Sequence, residues 1–134
     1  MGAMSLLAWN CRGSDGSLRS SKMTHLARLL TSTNAQVCFI SETRNSTIKR
    51  TALANRFNYF DAFVVPAQGQ SGGLWLIWNN DVDLAVVDHY HHYSMAMCIN
   101  KQSMKQFGLI CIYGDPHHRA TDDIWSGSAQ FCSK

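Results

Sequence analysis

Three short apolar runs, each closed by a polar side chain, constrain most of what this chain can become. Leu6-Leu7-Ala8-Trp9 ends in Asn10-Cys11-Arg12-Gly13. Val37-Cys38-Phe39-Ile40 ends in Ser41-Glu42-Thr43-Arg44. Leu109-Ile110-Cys111-Ile112 ends in Tyr113-Gly114-Asp115-Pro116. Runs of this length, stopped by polar or turn-forming residues, are strand-sized rather than helix-sized. Strands that are apolar throughout are buried on both faces. The polar residue at each end then sits at the rim of a buried sheet, held rigidly yet within reach of solvent.

The intervals supply the other elements. Ser20 and Ser21 can cap a helix in which Met23, Leu26, Ala27 and Leu30 share one face. Thr47 opens a second helix to about Phe57, with Ile48, Ala52 and Leu53 on one side. Beyond Phe57 the pattern predicts short strands over 63–65, 74–78, 84–87, 95–99 and 109–113. Pro66, Gly69-Gln70-Ser71-Gly72-Gly73, Asn79-Asn80-Asp81, Asn100-Lys101 and Gly114 separate them. Asn79-Asn80-Asp81 and residues 100–103 read as hairpin connections. A β-α-β-α half followed by a β-meander predicts an α/β layered sandwich with mixed or antiparallel sheets. The expected core is Trp9, Leu26, Leu30, Val37, Phe39, Ile40, Trp75, Ile77, Val86, Ile110 and Ile112.

A length of 134 residues predicts one domain. Met1-Gly2-Ala3 ahead of Met4 reads as a tag scar (1–3), residues 4–125 as the domain and 126–134 as an aperiodic tail. The net charge of +3 is no nucleic-acid footprint by itself, because such footprints come from clustering. No apolar run approaches the ~18 residues of a membrane span. Cysteines 11, 38, 98, 111 and 132 are odd in number and lack metal-type spacing. They read as reduced, buried thiols of an intracellular protein. From residue 5 to 41 the acid is Asp15, against Arg12, Arg19, Lys22 and Arg28. That composition is read either as an organellar transit peptide or as the first strand and helix of the fold. The expected location is nuclear or cytoplasmic, with a mitochondrial alternative.

Taken in order, Trp9-Asn10-Cys11-Arg12-Gly13, Ser41-Glu42-Thr43-Arg44, Gly72-Gly73-Leu74 with Trp78 following, Ile112-Tyr113-Gly114 and Trp125 resemble the endonuclease/exonuclease/phosphatase superfamily. The likeness is greatest to the endonuclease domain of plant LINE-type (non-LTR) retrotransposons, and it covers residues 5–125. The resemblance implies a partial four-layer α/β sandwich, with two sheets packed face to face between helices. It also implies roles for three residues. Asn10 would be the amide that orients a phosphate or a metal-bound water. Glu42 would be the Mg²⁺-binding carboxylate, since hard cations take oxygen ligands. Tyr113 would be the phenol contacting the scissile phosphate. The plainer readings are a turn-forming Asn10, a capping Glu42 beside Arg44 and a sheet-edge Tyr113. Arg12 and Arg44 could hold phosphate oxygens bidentately or simply be solvated.

The family's Gly-Asp-x-Asn and Ser-Asp-His segments do not occur in the 134 residues, and Asp115 matches a different family position. Metal-assisted phosphodiester hydrolysis needs a generated nucleophile and charge stabilisation on both oxygens. Asn10, Glu42 and Tyr113 are therefore expected to be vestigial, with no cofactor unless an active alternative uses Mg²⁺. His89-Tyr90-His91-His92-Tyr93 and His117-His118 lack a Cys or Glu at zinc spacing. They read as a solvated or edge-strand cluster, or as cover for a partner surface.

Truncation near residue 125 would leave apolar sheet surface and unpaired edges in water. This predicts a homodimer through that side and an unidentified protein partner. The leading functional reading is a non-catalytic, retroelement-derived protein acting through protein–protein contacts, with a cytotoxic, defence or selfish-element role open. The alternative is a Mg²⁺-dependent nuclease or phosphodiesterase with residual activity or a site completed by a second subunit. A third reading is nucleic-acid binding through Arg12, Arg19, Lys22, Arg28, Arg44, Lys49 and Arg50. It is the weakest, because no basic–aromatic stripe is visible.

Overall fold

The computed structural model describes residues 5–12, 18–69, 72–90 and 93–112, and the backbone of 128–133. The chain runs β1 (Leu6–Asn10), α1 (Ser21–Thr33), β2 (Val37–Ser41), α2 (Arg50–Phe57), β3 (Asp61–Val65) and β4 (Leu74–Trp78). It continues as β5 (Val82–Tyr90), β6 (Tyr93–Asn100), β7 (Gln106–Ile112) and β8 (Ser128–Ser133). One sheet has the order β1-β2-β4-β3 and the other β5-β6-β7-β8. β1 and β2 are parallel, as a helical crossover requires. The remaining pairs are antiparallel. The expected α/β two-sheet sandwich is what forms.

Helix α1 starts where Ser20 accepts a hydrogen bond from the Met23 N–H, and it ends at a left-handed Asn34 whose N–H reaches the Leu30 carbonyl. Its buried face is Met23, Leu26 and Leu30. The acid-poor stretch of residues 5–41 thus contributes β1, α1 and β2 to the fold. Helix α2 begins at Arg50, later than the expected Thr47, because Asn45 Oδ1 accepts from the Thr47 and Ile48 N–H groups, each at 2.9 Å, and holds a turn there. Its buried face is Leu53, Ala54 and Phe57 rather than Ala52, which is exposed.

Two apolar layers hold the molecule together. The helices cover one face of the first sheet, packing Met23, Leu26, Leu30 and Leu53 against Cys38, Ile40, Trp75 and Ile77. The opposite face packs Val37, Phe39, Leu74 and Leu76 against Val82, Leu84, Cys98, Leu109 and Cys111 of the second sheet. Trp9 and Val86 are half-buried against these two layers. Cys11, Cys38, Cys98 and Cys111 are buried. Among the described residues no helix is long and apolar enough to cross a membrane.

Three expectations are corrected. Ile110 and Ile112 are half-buried, whereas Leu109 and Cys111 fill the inter-sheet core. Residues 109–112 are apolar at every position, so the sequence carries no alternation to set the face. Asn79-Asn80-Asp81 is not a hairpin turn: it carries the chain from β4 in one sheet to β5 in the other. Residues 128–133, expected to be aperiodic, form β8 and pair with β7 from Phe107↔Ser133 to Ile112↔Ser128. The 100–103 turn does join the antiparallel pair β6 and β7.

Candidate functional site

The ends of β1 and β2 bring the first two sequence motifs together. In the parallel ladder Asn10 stands opposite Ser41, and the Cys11 N–H extends the pairing by donating to the Ser41 carbonyl at 2.9 Å. Alternation along each strand puts Asn10 and Ser41 on the face shared with the second sheet, in line with Ala8 and Phe39. Both therefore sit at the rim of the inter-sheet layer. Glu42 follows directly and is half-buried.

Beyond this rung the backbone becomes unusual. Arg12, Glu42 and Arg44 adopt left-handed conformations, with φ of 54°, 52° and 52°. Each non-glycine residue in this region costs on the order of 1–3 kcal/mol, and such residues cluster at functional sites. Several contacts hold the strain. Arg12 N–H donates to Asn10 Oδ1 at 3.0 Å, fixing the orientation of that amide. Lys22 Nζ donates to the carbonyls of Cys11 and Arg12 at 3.0 and 3.2 Å. The Thr43 and Arg44 N–H groups donate to the carbonyls of Gly73 and Gly72 at 3.2 and 2.8 Å. Gly73 has φ 92°, and a Cβ there would run into Thr43 Oγ1.

The side chains at this rim carry a carboxylate and neutral oxygens, the donor types that a hard divalent cation takes. The Glu42 carboxylate accepts no hydrogen bond and makes no ion pair among the described residues. Ser41 Oγ is buried without a hydrogen-bond partner among the described residues. Asn10 Oδ1 supplies a further neutral oxygen. One carboxylate plus neutral oxygens, water and substrate phosphate is a normal Mg²⁺ environment. The side chains of Arg12 and Arg44 are exposed.

Tyr113 lies outside the described residues, as do Asp115, Trp125, His91, His92, His117 and His118. His89 is exposed near the end of edge strand β5, with its ring edge-on to Phe63 at 5.0 Å. Ser41 and Gly73 carry no site role in the sequence reading, and Lys22 enters it only as one cation of a nucleic-acid-binding set. Gly72-Gly73 was a visible signal, whereas the long reach of Lys22 to the β1 end leaves no trace in local pattern.

Among known proteins, the endonuclease/exonuclease/phosphatase family profile matches residues 7–127. No curated protein matches the chain. Among solved structures, the crystal structure of AP endonuclease LMAP from Leishmania major superposes with a TM-score of 0.59 at 14% identity. The match covers 87% of this chain but only 43% of that one. Identity this low speaks to the shared fold alone.

Proposed function

The chain belongs to the endonuclease/exonuclease/phosphatase family, and from that premise we propose that these 134 residues form a non-catalytic, retroelement-derived protein that acts through protein–protein contacts, first with a second copy of itself. The observation that carries this reading is the outward face of the second sheet. Strand β6 alternates fully: Ser94, Ala96, Cys98 and Asn100 are buried inward, while Tyr93, Met95, Met97 and Ile99 are half-buried on the other side. Register sets Ile110 beside Met95 and Ile112 beside Tyr93. The result is an apolar stripe along the middle of a sheet, with no described element packed over it. Such stripes mark contact surfaces.

In this reading Asn10 and Glu42, with Tyr113, belong to a phosphodiester site. Bound there, Mg²⁺ would neutralise charge on a phosphoryl oxygen. Asn10 would orient the phosphate, and Lys22 would hold the loop after β1 in place. No residue of this set serves as a general base for water.

One observation favours the alternative of a Mg²⁺-dependent phosphodiesterase completed by another subunit. Glu42 is held in a strained conformation with its carboxylate uncommitted among the described residues, an arrangement stability alone does not select. A plasmid-nicking assay with Mg²⁺ separates the two. The proposed function predicts no cleavage above background. Cleavage that vanishes in both Asn10→Ala and Glu42→Ala proteins would establish the alternative. The cellular compartment, nuclear, cytoplasmic or mitochondrial, is open to fractionation of the native tissue.

A further inference from the structure

The outer surface of the helical layer is strongly charged and takes no part in the sheet-face contact. Between Leu18 and Asn58 the chain has a single carboxylate, Glu42. Cations fall at Arg19, Lys22 and Arg28 on or beside α1, and at Lys49, Arg50 and Arg56 on or beside α2. The modest net charge of the whole chain conceals this clustering, because the fold gathers these residues on one layer. A groove of about 390 Å³ is lined by Thr24, Ala27, Arg28, Thr31, Ser32 and Arg56, with no acid among them.

The two guanidinium groups differ in their commitments. Arg56 is positioned: its Nε donates to the Leu18 carbonyl at 2.6 Å, and its guanidinium lies 5.3 Å from the Phe57 ring centroid. Four of its five N–H donors lie beyond that bond. Arg28 has no acidic partner among the described residues. The acid Asp61 is engaged with Arg50 at 3.5 Å. The groove hydroxyls donate inside α1, Thr24 to Ser20, Thr31 to Ala27 and Ser32 to Leu29. Recognition in the groove therefore falls to the arginines, which match phosphate oxygens with paired N–H groups.

Arg19 beside α1, and Lys49 and Arg50 at the start of α2, add positive charge to that of the two groove arginines, a field that favours a polyanion. A protein partner would need apolar anchors at the centre of its contact. Among the described residues, the exposed large hydrophobic ones are Phe60, Val87, Tyr90 and Met104, and all lie off α1 and α2. We propose that the α1–α2 face binds the phosphodiester backbone of nucleic acid without sequence preference, with the Arg28–Arg56 groove as its principal phosphate seat. It would leave the apolar face of the second sheet, on the far side of the molecule, free for protein contacts.

The test is a fluorescence-anisotropy titration of a mixed-sequence 20-nucleotide oligonucleotide, single-stranded and duplex, against the full chain at 50–200 mM salt. EDTA is present throughout, so that cation-dependent binding at Asn10 and Glu42 is silent. The parent chain should bind with a clear salt dependence. Arg28→Gln/Arg56→Gln should weaken binding about tenfold at 100 mM salt and lower the log–log salt slope by about 2, the loss of two phosphate contacts. Arg56 touches Leu18 and Phe57, so Arg28→Glu is the second variant: its side chain has no partner to lose, and it should weaken binding at least as much as the double change. Arg28→Lys should keep most of the affinity. Parent-like binding by Arg28→Glu overturns the proposal, and so does equal affinity of the parent for polyglutamate, which would assign the face to an acidic protein.

Discussion

Thr43 Oγ1 occupies the space that a side chain at Gly73 would need. The two residues lie where β2 and β4 run past their last paired rung, and the Thr43 N–H donates to the Gly73 carbonyl. At φ 92° Gly73 is also in a conformation that other residues resist. Gly73→Ala should therefore cost about 2 kcal/mol or more, combining backbone strain with the collision. Urea melts give the value. A loss below 0.5 kcal/mol would show that this junction is looser than described.

Glu42 offers a sign test. Its left-handed backbone strains any residue but glycine or asparagine. If its side chain is kept for a site rather than for the fold, Glu42→Gly should stabilise the chain by roughly 0.5–1 kcal/mol. The same change should remove any Mg²⁺-dependent protection against thermal unfolding. A destabilised Glu42→Gly protein would mean that the carboxylate supports the fold.

Ile40 and Leu109 are buried in the two separate apolar layers, whereas Ile110 looks outward. Ile40→Ala and Leu109→Ala should each cost about 2–5 kcal/mol, and Ile110→Ala roughly half as much. Urea melts of the three single variants rank them. An Ile110→Ala loss equal to that of Leu109→Ala would reverse the register assigned to β7.

Much of this architecture was legible because local pattern and burial agree. Val37–Ser41 and Leu74–Trp78 read as strands of the right length, since each is an apolar run cut off sharply by polar or glycine residues. The faces of β7 were not legible, because apolar residues occupy both. Strand β8 was missed because Ser128-Ala129-Gln130-Phe131 has weak strand character, and its pairing with β7 is a tertiary effect. Asn10 and Glu42 were identified by motif, and the parallel register of β1 and β2 explains why motifs about thirty residues apart meet. Most cations of the α1–α2 layer were legible in the sequence, but Arg56 was not among them, and only packing sets it beside Arg28 on one groove.

Buried thiols should make the protein sensitive to alkali. Burial raises the Cys98 pKa to about 11. Burial and the neighbouring Cys98 push Cys111 up to about 12. An unfolded thiol ionises near 8.5. The native chain therefore holds protons that the unfolded chain releases, and unfolding becomes easier as pH rises. The contribution is complete below about pH 8 and is lost progressively from there through pH 11–12. The slope is at most about 1.4 kcal/mol per pH unit for each such thiol. Urea melts at pH 7.5, 9 and 10 should show the fall, and Cys111→Ser should flatten it even if it lowers stability overall. A slope unchanged by that substitution would assign the alkaline loss to other groups.

The proposed homodimer rests on what lies on each side of β6. Its inward residues are used within the chain, packing with β5 and β7 against the first sheet, so a second copy is not needed to complete that core. The outward residues are the ones in search of cover. Tyr93, Met95, Met97 and Ile99 line up with Ile110 and Ile112, and Val87 of β5 is 59% exposed. Methionine side chains adapt readily to a facing surface. Met104 takes no part in the stripe: it sits in the β6–β7 turn, where its N–H donates to the Asn100 carbonyl at 2.7 Å. Gly108 lies opposite Met97. A symmetric, two-fold contact would bring each stripe against its equivalent. An obligate contact of this kind should bury about 2,000 Å² or more in total. Met97→Asp sets a carboxylate in the middle of the stripe and should abolish the dimer, leaving aggregate or unfolded chain if the contact is obligate. Light scattering at low micromolar concentration reads the outcome: the parent chain should show about twice its 15.0 kDa mass, and a well-folded parent monomer would refute the dimer.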